Sequence, residues 1–133
     1  MSETPRKVMI TVRKAPHGSI YVHEAIEVMF IVASYGMELS VVFMDDGVMA
    51  LKSGQNTSKL GIKGFMASIG ALVDFEVEKV YVDRQSLLDR NMSEADLVSI
   101  GEDEDTEEPI RPRVLDSREI AEMMADQHSI MSF

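Results

Sequence analysis

The sequence, 133 residues long, predicts an α/β fold of three layers, with helices on both faces of a mainly parallel five-stranded sheet. Three observations carry this. Short β-rich apolar runs alternate with helical segments, which favours parallel strands joined by right-handed crossovers. The runs lack strict polar–apolar alternation, as expected of strands covered on both sides. Turn-forming residues punctuate the chain between them. With 45% hydrophobic residues the chain has enough apolar material for one core, and a single domain over residues 1–133 is expected.

Each element follows in order. Val8-Met9-Ile10-Thr11-Val12 is the first strand, broken by Ala15-Pro16-His17-Gly18-Ser19. Residues 20–35 read as a helix, with Gly36 as its natural stop. A second strand at 39–44 ends at Asp45-Asp46-Gly47, a turn signal. Thr57 or Ser58 caps a helix running to about residue 73. Lys79-Val80-Tyr81-Val82 is the third strand and ends at Asp83-Arg84. Short helical pieces at 86–90 and 93–98 precede an acidic surface loop at about 99–109. Arg113-Val114-Leu115 is a fourth strand. Asp116 and Glu119 then form a capping box that opens a helix to about residue 127, with Ile120, Met123 and Met124 on its apolar side. Residues 129–133 supply the fifth strand.

Composition excludes several functions. The chain has no Cys, so it forms no disulfide, carries no persulfide and offers no thiolate nucleophile or metal ligand. Its formal net charge of −10 argues against direct contact with nucleic-acid phosphates. Six of its acids crowd into residues 102–108, a run that stays hydrated because like charges repel. No apolar stretch reaches the roughly 18 residues of a membrane span, and the first residues lack the form of a signal peptide. A cytoplasmic location is expected, with no membrane partner.

In parallel sheets, ligands gather beyond the carboxyl ends of the strands. The residues there form the candidate strand-end pocket or interface: His17, Gly18, Asp46, Gly47, Asp83 and Arg84. Asp45, Asp46 and Asp83 are a conceivable oxygen-ligand set for Mg²⁺, but turn formation and strand termination account for them more simply. His17 and Gly18 precede a helix whose amino end attracts anions; a loop histidine that packs or caps is the plainer reading. The three His have no metal-ligand spacing. No phosphate loop, dinucleotide fingerprint or nucleophile elbow is present. No catalytic residue, metal or cofactor is therefore expected, and no activity of the chain alone.

The first helix carries a second message. His23, Glu24, Glu27 and Ser34 share one narrow stripe, and nearly everything else from 20 to 35 is apolar. Such a helix is covered by more than one sheet face. Val28, Phe30 and Ile31 are accordingly the candidate oligomer interface.

The Ala15-Pro16-His17-Gly18 loop, Val42-Phe43-Met44-Asp45-Asp46-Gly47-Val48, Ser53-Gly54-Gln55, Val80-Tyr81-Val82, Ser86-Leu87 and the closing Ile130-Met131-Ser132-Phe133 together resemble the DsrF/TusC branch of the DsrE-like sulfur-relay family. The likeness runs from Lys7 to Phe133. It implies a small α/β/α domain that assembles as a homo- or hetero-oligomer with DsrE/TusD-like and DsrH/TusB-like subunits. It further implies persulfide transfer by a Cys-bearing partner, serving tRNA thiolation or sulfur oxidation. Some relatives of this branch carry a Cys at the end of the third strand, where this chain has Asp83. The resemblance thus implies a non-catalytic, Cys-less relay subunit. The competing expectation is a stand-alone homo-oligomer of the same fold that binds a small anion or metal at the strand ends.

Overall fold

The computed structural model describes residues 5–16, 20–53 and 65–133. In chain order, β1 (Lys7–Val12) leads to α1 (Tyr21–Ser34), β2 (Glu38–Phe43) and a 3-10 segment over Asp45–Leu51. Then come α2 (Met66–Ile69), a 3-10 turn at Val73–Phe75, β3 (Lys79–Asp83), α3 (Arg84–Asp89) and a 3-10 turn at Glu94–Asp96. The remainder is β4 (Gly101–Glu102), β5 (Pro109–Ile110), β6 (Arg113–Leu115), α4 (Ser117–Ala125) and β7 (Ser129–Ser132).

The main sheet has five strands in the order β6-β3-β2-β1-β7, and every pairing in it is parallel. Val8 sits opposite Leu39 and Val12 opposite Phe43, so the β-branched and aromatic positions of β1 and β2 share one face. The chain steps from β1 through β2 and β3 to β6 in one direction, then returns across the sheet to β7. Right-handed crossovers in opposite directions lie on opposite faces, and this sorts the helices. Val22, Ala25, Ile26 and Met29 of α1 and Leu87 of α3 join Ile10, Val12, Val41, Phe43 and Val82 in the larger core. Ile120 of α4 packs with Met9, Val42 and Leu115 in a smaller core on the other face. Three layers result, as the sequence predicts.

Several local features depart from the sequence reading. The start expected for the second helix, at Thr57 or Ser58, lies outside the described residues. Its described part is the four-residue α2 and then the turn at Val73–Phe75, rather than one helix to residue 73. The backbone leaves the helix because Val73 N–H donates to the Ile100 carbonyl (3.0 Å) and Val77 N–H to that of Leu72 (2.9 Å). Next, α3 begins at Arg84, two residues before expected, because Asp83 caps it: its side chain accepts from the Ser86 N–H. Finally, the acidic run is the turn of a small hairpin, β4 pairing antiparallel with β5. Asp103 organises that turn by accepting from the N–H groups of Asp105 (2.9 Å) and Thr106 (3.1 Å). These bonds favour the ionised carboxylate and hold its pKa below the usual range. The acids themselves stay exposed, as expected of a like-charged block.

The helical piece expected at 93–98 is likewise only the 3-10 turn at Glu94–Asp96, since Leu97 bridges to Lys52. Gly36, at φ 73°, takes the left-handed conformation that ends α1. The capping box of α4 is complete, with Asp116 and Glu119 bonded reciprocally across the first turn. Among the described residues no helix is long and apolar enough to cross a membrane.

Candidate functional site

At the carboxyl edge of the sheet, β3 continues into α3 on the larger-core face while β6 continues into α4 on the other. Adjacent strands whose connections diverge in this way open a crevice, the usual ligand position in open α/β sheets. Here the crevice mouth is bridged. Asp83, at the end of β3, is buried and satisfied by three donors. Ser86 donates its Oγ–H to Oδ2 at 2.6 Å and its N–H at 3.3 Å. Ser117, at the start of α4, donates its Oγ–H to Oδ1 at 3.0 Å. A carboxylate out of water needs such partners, since an unpaired one is costly to bury.

The network extends along the edge. Ser86 Oγ accepts from the Asp45 N–H at 2.8 Å, so one hydroxyl ties the end of β2 to the start of α3. Asp45 has φ 51°, a left-handed conformation uncommon outside glycine, and its carboxylate receives Arg13 Nε at 2.7 Å. Asp46 receives Arg90 at 2.9 and 3.1 Å through Nη2 and Nε. Arg84 donates to Asp116 at 2.7 Å, and this neighbour raises the guanidinium's already high pKa. Gly47 is required by contact: a Cβ there would lie 1.8 Å from the Val12 carbonyl oxygen. The 45–51 segment is thereby pressed against the end of β1, where Met44 N–H also bonds to Val12 O at 3.0 Å.

Of the sequence-predicted edge residues, Asp46, Gly47, Asp83 and Arg84 thus stand where expected, at the carboxyl ends of β2 and β3. His17 and Gly18 lie outside the described residues. Each described charge among them has a partner of opposite sign or a set of hydroxyl and N–H donors. The three carboxylates weighed as a Mg²⁺ set are each turned to different donors, and among the described residues no three His, Asp or Glu group as a metal site. Sequence reasoning missed Ser86, Ser117, Arg13, Arg90 and Asp116. A signal existed for the first: Asp83-Arg84-Gln85-Ser86 has an acid three residues before a hydroxyl, an N-cap pattern.

The candidate interface on α1 divides. Val28 and Phe30 are half-buried and pack on their own chain's larger core; Phe30 stacks on Phe75 with ring centroids 4.5 Å apart. Ile31 faces out, 55% exposed, and Tyr35 beyond it is 76% exposed. The segment at 65–75 therefore supplies, from within the chain, part of the cover that so apolar a helix requires. His23 meets the ring of Phe65 edge-on at 6.0 Å.

Comparison with known proteins agrees with this architecture. A family model described as the DsrE/DsrF-like family matches residues 6–133. The chain is 43% identical over the full length of both chains to the intracellular sulfur oxidation protein DsrF of Allochromatium vinosum. It is 33% identical to a TusC homolog of Vibrio parahaemolyticus over 65% of this chain and 73% of that one. The crystal structure of the ychN protein from E. coli superposes with a TM-score of 0.76 at 17% identity, covering 96% of this chain and 99% of that one; at that identity the likeness concerns the fold alone. Fold, family model and full-length identity converge: this chain belongs to the DsrE/DsrF-like family, on its DsrF/TusC-like side.

Proposed function

We propose that this chain is a non-catalytic, Cys-less subunit of a DsrE/F/H- or TusBCD-like sulfur-relay oligomer, supporting persulfide transfer by a Cys-bearing partner. The observation that carries the reading is the absence of any Cys in a chain 43% identical to DsrF along its whole length. Sulfur relay proceeds by attack of a thiolate on a sulfur–sulfur bond; a chain without thiols contributes to it by contact. Asp83 stands where some relatives carry a Cys, and its carboxylate is engaged with Ser86 and Ser117. Its work at that position is to cap α3 and bridge β3 to α4.

The outward side of α1, with Ile31 foremost, is the surface by which the subunit docks; Val28 and Phe30 lie beneath it. The alternative of a stand-alone anion or metal binder receives less support, because the described strand-end charges already have partners within the chain. The test is co-expression with DsrE-like and DsrH-like relatives from the same organism, followed by native mass spectrometry. A stoichiometric complex is expected, with persulfide recovered on the DsrE-like chain. A subunit that stays apart from both relatives would overturn the proposal.

A further inference from the structure

The outward face of α1 is continuous with a second surface. Phe75, 55% exposed, leans on Phe30 at one flank of the helix's exposed side, on which Ile31 and Tyr35 also stand, with Glu27 and Ser34 between. On its far side the same turn borders a groove of about 630 Å³. Asp74, Glu76 and Glu78 form one wall of that groove and hairpin residues 102–105 the other. The Val73–Ile100 backbone bond, 3.0 Å, holds the two walls together. Glu24 and Glu27 add exposed carboxylates beside Ile31 on the helix. Across the three segments that build this surface (20–35, 65–78 and 99–110) there are eleven acids and not one Lys or Arg. The carboxyl edge is different: there every described acid of the network meets an Arg or a hydroxyl.

From this pairing of exposed aromatic and aliphatic side chains with an unneutralised acidic rim, we infer that the α1–Phe75 face docks a different protein chain whose contact surface has an apolar centre ringed by Lys and Arg. A second copy of this chain is the wrong occupant. Like-charge juxtaposition opposes association, and two such faces brought together would set carboxylates against carboxylates with no cation from the three described segments of either. A basic ring also speeds encounter through long-range attraction. The inference rests on the relay-subunit reading and goes further, in fixing where the partner binds and what its surface carries.

The experiment uses the full-length chain and the Cys-bearing DsrE-like relative from the same organism, followed by surface plasmon resonance across salt concentrations. Charge reversal in the combined variant Asp74→Lys, Glu76→Lys, Glu102→Lys and Glu104→Lys is expected to slow association about 10-fold at roughly 50 mM salt, a difference that shrinks near 0.5 M. Tyr35→Ala and Phe75→Ser are expected to weaken the complex about 10-fold by faster dissociation. Tyr35 lies at the end of α1, so its variant keeps the test valid if Phe75→Ser disturbs folding. Unchanged kinetics in the charge-reversed and apolar variants, with a complex still formed, overturn this docking face and leave the relay reading intact. No complex with the unaltered chain removes both. Dimerisation of the chain alone that is abolished by Tyr35→Ala also overturns the inference.

Discussion

The carboxyl edge of the sheet and the outward face of α1 treat charge in opposite ways. At the edge, Asp45, Asp46, Asp83 and Asp116 are matched by Arg13, Arg90, Ser86, Ser117 and Arg84 within the chain. On the outward face, the acids around Ile31, Tyr35 and Phe75 have no cation in their own segments. The first arrangement fixes a fold, because each interaction is present in the isolated chain. The second contributes little to folding and leaves its attraction available to a partner. In this chain the described charges at the carboxyl edge serve the fold, and the unbalanced surface lies elsewhere.

Substitutions can break that contrast, beginning at the edge. Gly47→Ala drives a methyl group into the Val12 carbonyl and should cost about 3 kcal/mol, at the upper end for overpacking; urea unfolding will measure it. Asp83→Ala removes the α3 cap and leaves the buried Ser86 hydroxyl and the exposed Ser117 hydroxyl without their acceptor. A loss of about 2 kcal/mol is expected, with Asp83→Asn milder because one oxygen still accepts. On the outward face, Tyr35→Ala should change stability by no more than about 0.5 kcal/mol while weakening the partner complex. Equal effects on stability at Asp83 and Tyr35 would erase the distinction.

The smallest effect concerns the amino-terminal edge. Lys79 donates to Glu38 at 2.5 Å and Lys7 to Asp126, and these ammonium groups depress both carboxyl pKa values. A depressed folded-state pKa gives stability that is full above the unfolded value of about 4 and is lost as pH falls through the lower folded value. Lys7 is shifted upward by the same contact, so the pair persists through neutral pH. Because these groups are exposed, the contribution is slight. The melting temperature of Asp126→Asn should lie just below that of the unaltered chain at pH 7 and meet it near pH 2.

Most of the architecture was legible because hydrophobic periodicity and turn chemistry agree locally. The runs at 8–12, 79–82 and 113–115, the stop at Gly36 and the Asp116–Glu119 box all became elements within a residue or two of their expected bounds. The interruption after α2 was hidden, since Val73 and Val77 take their hydrogen bonds from long-range or non-helical partners that no local pattern records. The same holds for the site. Asp83 and Arg84 were placed at a strand end by pattern, but their pairing with Ser117 and Asp116, more than 30 positions away, depends on the β3–β6 pairing. Phe75 stands between Asp74 and Glu76 with no local pattern to mark it. Its exposure follows from a turn in the backbone and not from its chemistry.

The order of the sheet has a consequence for synthesis. β1 sits between β2 and β7, and Thr11 hydrogen-bonds to Ser132, 121 positions away. As the nascent polypeptide emerges, one flank of β1 waits for nearly all of the remaining chain before it finds its mate. Contacts of such separation are slow to close, and an unpaired flank invites mispairing with other chains. Ribosomal stalling or proteolytic trimming before residue 129 should therefore yield aggregation-prone fragments.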